Sequence, residues 1–223
     1  TVMFMINSEL KNTKHASLLF WLAVLLFLAF RIIKASHPML IEYDEFWTLL
    51  NSSYPFEVWF GQYLPNDSWP PLFYLFGRVI DALTGLSLPG IRISIILCSF
   101  SGFLLIGYLL RSRLGVWPTL LTLLLMAVSP MLVSYDVLFR GYALFGVFFM
   151  LLMIQGFDTL NNPALVRPYV LSVFWGLGMV YTHFWGGLIL VGYVLTLSFM
   201  LYRSGSSDSI KKVLAMCLGW TAG

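Results

Sequence analysis

The sequence predicts an all-α, polytopic membrane protein, and two observations carry that prediction. Hydrophobic residues make up 59% of the chain and charged ones only 10%, against about 25% charged in ordinary soluble domains. The apolar residues also gather into runs that approach the ~20 residues needed to cross a bilayer, without the alternation of barrel strands. Inside hydrocarbon every backbone polar group must be satisfied within its own segment, which selects helices. A mean hydropathy of +0.85 agrees.

The elements follow in order. The first apolar run, 16–33, comes after Lys11 and Lys14. The stretch Arg31 to Lys34 behind it is no small-residue cleavage site, so the run reads as a retained span rather than a signal peptide. Further spans are expected at 91–110, 116–133, 142–157, 169–181 and 184–202, and an incomplete one at 213–223. Residues 1–223 thus read as a single transmembrane domain, truncated at its C-terminus, with an outer loop over 35–90. Loops of that length are usually functional.

Within the outer loop, 70–86 is apolar enough to suggest another span, yet it carries Arg78 and Asp81. Leu72, Leu75, Phe76, Val79, Ile80 and Leu83 recur at helical spacing on one side. Tyr74, Gly77, Arg78, Asp81 and Gly85 take the other. That pattern describes an amphipathic helix lying in the membrane interface.

Charge placement gives the same topology. With 70–86 kept out of the bilayer and the N-terminus inside, Lys11, Lys14, Arg111, Arg113, Arg167, Arg203, Lys211 and Lys212 are cytoplasmic. Outside fall Arg31, Lys34, Arg78, Arg92 and Arg140, together with the acids Glu42, Asp44, Glu45, Glu57, Asp67, Asp81 and Asp136. Letting 70–86 cross would export most of the first set, against the positive-inside rule.

The net charge of +3 is small and no Lys/Arg stripe runs along any segment, so a nucleic-acid footprint is missing. Cys98 and Cys217 sit in apolar runs with no metal-ligand spacing and read as plain membrane-core residues.

Four short motifs open onto the outer side. In Tyr43-Asp44-Glu45-Phe46-Trp47, two adjacent carboxylates precede a short helical run. The plain reading is an N-cap and a first-turn acid; the chemical one is a general base for a hydroxyl. Asp67 precedes Trp69-Pro70-Pro71, where proline suits the entrance of the interfacial helix. Between the third and fourth spans runs Ser134-Tyr135-Asp136-Val137-Leu138-Phe139-Arg140-Gly141-Tyr142. Its Arg140 either snorkels to headgroups or pairs with a phosphate. In Tyr181-Thr182-His183-Phe184-Trp185 a histidine sits among rings that serve as interfacial anchors or as a platform for a sugar face.

The order Tyr-Asp-Glu, then Asp-x-x-Pro-Pro-Leu, then Arg-x-Tyr, then Tyr-Thr-His resembles the GT-C membrane glycosyltransferases. The subgroup it resembles is the protein-mannosyltransferase and aminoarabinose-transferase-like, dolichyl-phosphate-mannose transferase type. The resemblance runs from about Ala16 to Tyr202 and rests on the order and shared sidedness of motifs that are individually weak. It implies a GT-C-like fold and an inverting transfer from a polyprenyl-phosphate sugar to a lipid, glycan or protein hydroxyl. The location it implies is a bacterial plasma membrane, with the site on the non-cytoplasmic face.

By the same resemblance, Asp44 is the catalytic carboxylate and Glu45 its acidic neighbour. Arg140, with Lys34, stabilises the departing lipid phosphate, and Asp67, Asp136, Tyr142 and His183 join the substrate-binding set. In some relatives a divalent metal is bound, for which Asp67 and His183 are the candidates here. Two departures stand out. Trp69 occupies the place of a histidine in many relatives, and Leu138 that of a glutamate. A polytopic transporter and a noncatalytic membrane scaffold are the rival classes. Against a transporter, the charges gather at span ends rather than at mid-membrane, and no internal repeat is evident.

Overall fold

A computed structural model describes residues 2–36, 43–64, 70–85, 87–205 and 207–222; the side chains of 2–13, 44, 207, 210 and 222 lie outside the description. Every regular element among the described residues is a helix. Four of these helices are long and apolar enough to cross a membrane: Lys14–Ser36 within α1 (Val2–Ser36), α5 (Leu88–Leu114), α8 (Tyr142–Asn161) and α10 (Trp185–Arg203). The chain divides into two compact units, Thr1–Leu40 with Arg92–Leu138, and Ile41–Ile91 with Phe139–Gly223.

In the first unit α1 packs against α6 (Val116–Val128), with α5 alongside. Ala23 and Phe27 of α1 meet Phe103 of α5 and Leu123 and Ala127 of α6, and the Phe27 and Phe103 rings lie 4.4 Å apart. Lipid tails are as apolar as these side chains, so close packing rather than escape from water holds such an interface.

The span expected at 116–133 is broken. α6 ends at Val128, Ser129 turns extended, and a separate short helix α7 (Pro130–Tyr135) begins. The Ser129 hydroxyl accepts from the Leu132 N–H at 3.4 Å, and Pro130, lacking an N–H, suits a first helical position but not a continuing helix.

Just beyond α7 the Asp136 carboxylate is gripped by Arg31. Nε and Nη2 donate to the same Oδ2, at 2.8 and 2.6 Å. Arg31 is fully buried, donates also to the carbonyls of Phe27 and Ala127 at 3.2 Å, and has the Phe27 ring 3.5 Å from its guanidinium carbon. An apolar helix tolerates a buried cation only when its charge and donors are met in this way. Arg92, also buried, donates to the Val137 carbonyl.

The second unit contains α2 (Tyr43–Ser53), α3 (Phe56–Val58) running into a π-helical turn (Trp59–Tyr63), α4 (Leu72–Thr84), α8, α9 (Arg167–Val180), α10 and α11 (Ser207–Ala222). Leu152, Met179, Leu190 and Leu197 form its core. Glycines sit where helices touch. A Cβ at Gly186 would lie 2.7 Å from the Val180 Cα, so α10 starts directly against the end of α9.

α2 turns its polar side inward. Glu45, Thr48, Asn51 and Ser52 are buried, while Tyr43, Phe46 and Trp47 are exposed. α4 also turns apolar residues outward, Leu75, Val79 and Leu83, but its buried side is Phe73, Tyr74, Gly77 and Ile80, and Ile80 comes from the stripe expected to face the membrane. Of the side assigned to polar surroundings, Tyr74 and Gly77 are packed within protein: a Cβ on Gly77 would strike the Ser52 hydroxyl and stand 3.1 Å from the Phe139 ring. α4 ends at Gly85, whose φ of +59° favours glycine.

Candidate functional site

The site is built within the second unit, where α2, α4, the 139–141 segment and the 181–184 turn meet. Glu45 opens it from α2. It is almost fully buried, and its Oε1 accepts the Phe139 N–H at 2.6 Å. A carboxylate bonded to a backbone amide in this way makes a short, charge-assisted contact, and it holds the residue next to Arg140. The Phe139 ring packs edge-on against Phe73 of α4, with centroids 5.4 Å apart.

α4 is tied to the 181–184 turn by its own backbone. The Leu72 N–H, one of the amides a helix start leaves without an internal partner, donates to the Tyr181 carbonyl at 2.8 Å. Gly141 closes the other side, because a Cβ there would lie 2.6 Å from the Thr182 carbonyl oxygen. Only a residue without a side chain lets the two segments approach so closely.

Arg140 and His183 are both buried, at 5% and 4% exposure. Together with Thr48, Pro70, Phe73, Tyr74, Gly141 and Thr182 they line a pocket of about 20 Å³. Such a space admits one water-sized or hydroxyl-sized group.

His183 stacks near Tyr142, Phe145 and Phe184, with centroids at 5.1, 5.4 and 4.6 Å. Its Nδ1 accepts the Trp185 N–H at 3.3 Å, at the first residue of α10. Burial first, and the Arg140 guanidinium second, hold the imidazole below its ordinary 6.5. The ring is therefore neutral at pH 7, accepting at Nδ1 and carrying its proton on Nε2.

Of the residues singled out from sequence, Glu45, Arg140, Tyr142 and His183 belong to this unit, and Arg140 and His183 share the pocket. Lys34, half-buried in the last turn of α1, and Asp136, held by Arg31, belong to the first unit. Asp44 is the second residue of α2, but its side chain lies outside the described residues, as does all of Asp67. Among the described residues no three His, Cys, Asp or Glu side chains gather as a cation site. Thr48 and Thr182 were not read from sequence as site residues. Thr48 had a signal, since it stands three residues after Glu45 and so on the same helix face; Thr182 had one as the middle residue of the Tyr-Thr-His motif.

The arrangement buries a cation, a neutral imidazole and hydroxyls around a space for one polar group, beside a buried carboxylate that positions the cation's segment. Comparison with protein-family models, with curated proteins and with solved structures finds no match to this chain.

Proposed function

We propose that the chain is a GT-C-like glycosyltransferase that moves a sugar from a polyprenyl-phosphate carrier to a lipid, glycan or protein hydroxyl, on the non-cytoplasmic face of a bacterial plasma membrane. The observation that carries this reading is that Arg140 and His183, from motifs far apart in sequence, line one pocket with Thr48, a turn along α2 from Glu45. The charge pattern supports the outer face, and the apolar helices support the membrane setting.

In the proposed transfer the acceptor oxygen attacks the anomeric carbon as that carbon's bond to the phosphate oxygen breaks. The bonding electrons leave with the phosphate, and the acceptor proton passes to a base. Asp44 is the base, at the start of α2. The Arg140 guanidinium donates to the departing phosphate, with most effect as its charge develops. Neutral His183 and Thr48 take sugar hydroxyls, one of which fills the small pocket. Glu45 acts by positioning: its hold on the Phe139 amide fixes where Arg140 stands.

The test is transfer of labelled sugar from a panel of polyprenyl-phosphate donors in membranes carrying the full-length protein or its Asp44→Asn variant. Loss of transfer at equal protein level is expected. Unchanged transfer removes Asp44 from the mechanism. A transporter remains the second reading because Arg31 is a charge buried within an apolar helix; uptake of an unmodified solute by the wild type favours it.

A further inference from the structure

The first unit carries a second feature, independent of the site above and of the function proposed for it. A groove of about 370 Å³ opens among α1, α5 and α6. The small residues Ala16 and Ser17 line it from α1, and Phe20, Leu104, Gly107 and Leu123 add to its wall. Along α5 it runs from Leu104 to Arg111, about 10 Å at 1.5 Å per residue. An elongated apolar slot suits a hydrocarbon chain better than a compact solute. Left empty, its walls would forfeit the dispersion contacts that hold packed helices together.

One end of this slot is cationic. Arg111 lines it and is exposed, with no acceptor among the described residues. Arg113 differs, since its guanidinium folds back to donate to the Leu109 carbonyl at 2.7 Å. Exposed Lys14 marks the corresponding end of the span in α1. Among the described residues no carboxylate lines the groove. Tyr108, 76% exposed beside Arg111, is an amphipathic ring of the kind that settles at headgroup depth. Arg111, Arg113 and Lys14 are also among the cations that the charge pattern assigns to the cytoplasmic leaflet, where anionic lipids meet basic pockets between helices.

We propose that this groove binds an anionic phospholipid, one acyl chain lying in the slot and the phosphate pairing with Arg111. The chain lies in the slot beside Ala16 and Ser17, and the guanidinium supplies the paired donors that suit a phosphate.

The experiment uses the full chain reconstituted in vesicles of equimolar phosphatidylglycerol and phosphatidylcholine with matched acyl chains, followed by mild extraction and native mass spectrometry of retained lipid. Wild type is expected to retain phosphatidylglycerol over phosphatidylcholine by about 5-fold, the preference one basic side chain near a membrane surface gives. Arg111→Gln is expected to bring the ratio to about 1, whereas Arg203→Gln, an exposed basic change in the second unit, leaves it unchanged. Ser17→Phe fills the slot from α1 and reduces retention of both lipids. If that variant does not fold, Ala16→Phe blocks the same slot. Equal retention of the two lipids by wild type overturns the proposal. So does a ratio indifferent to Arg111→Gln, or retention indifferent to a folded slot-filling variant.

Discussion

The Glu45 carboxylate accepts the Phe139 backbone N–H at 2.6 Å across 94 residues of chain, and so sets the position of Arg140 through the residue before it. The carboxylate is almost completely buried. Glu45→Ala removes the acceptor and leaves a buried amide with nothing to bond, at a cost of about 1–3 kcal/mol. Glu45→Gln keeps a carbonyl acceptor in place and is expected to lose less than half of that. Thermal unfolding of the two variants in detergent distinguishes a positioning role from a purely chemical one, because only positioning predicts that order in stability.

The Arg31–Asp136 pair makes a different prediction. Asp136→Asn leaves a guanidinium of zero exposure without its counter-charge and is expected to destabilise the first unit by about 3–5 kcal/mol. Arg31→Met combined with Asp136→Leu removes both charges and is expected to recover most of that loss. A double-mutant cycle measured by denaturation in mixed micelles reads the coupling.

Gly141 is a steric prediction. Alanine there brings its Cβ to 2.6 Å from the Thr182 backbone carbonyl, which cannot rotate away, so Gly141→Ala costs about 1–3 kcal/mol. At Gly61 a Cβ meets nothing within 4 Å, and Gly61→Ala is expected to be neutral or stabilising by up to about 1 kcal/mol. Melting temperatures of the two variants compare the sites directly.

His183 gives a pH dependence with a definite sign. Its folded-state pKa lies below the ordinary 6.5, so the folded protein favours the neutral ring. The contribution to stability is fully present above 6.5 and is lost progressively as pH falls from there through the depressed folded value. Wild type is expected to lose stability over that interval, and His183→Gln to show less of the loss, in melting curves taken at a series of pH values.

Much of the helical frame is legible in the sequence because its signals are local. The 3.6-residue stripe of Leu72, Leu75, Phe76, Val79, Ile80 and Leu83 gives α4, though of that stripe Leu75, Val79 and Leu83 are exposed and Ile80 is buried. Apolar run length gives the helices of α1, α5, α8 and α10. The break at Ser129 also had a local sign, since Pro130 cannot continue α6, but the absence of any charge from 116–133 masked it. Other features have no local sign. The pairing of Arg31 with Asp136 joins residues 105 apart, and the Glu45 bond ends on a backbone amide that any residue at 139 would supply. The inward polar side of α2 is legible only once its surroundings are taken as lipid, because Phe46 and Trp47 would belong inside a water-soluble fold.

The proposed sugar transfer is tested most directly at Arg140, in proteoliposomes holding purified full-length protein, a polyprenyl-phosphate sugar and membrane acceptors. Wild type is expected to transfer sugar, and Arg140→Gln to do so about 100-fold more slowly, the usual loss when one preorganised donor to a developing oxyanion is removed. Equal rates for the folded variant and wild type, or no transfer by wild type from any donor of the panel, would contradict the account.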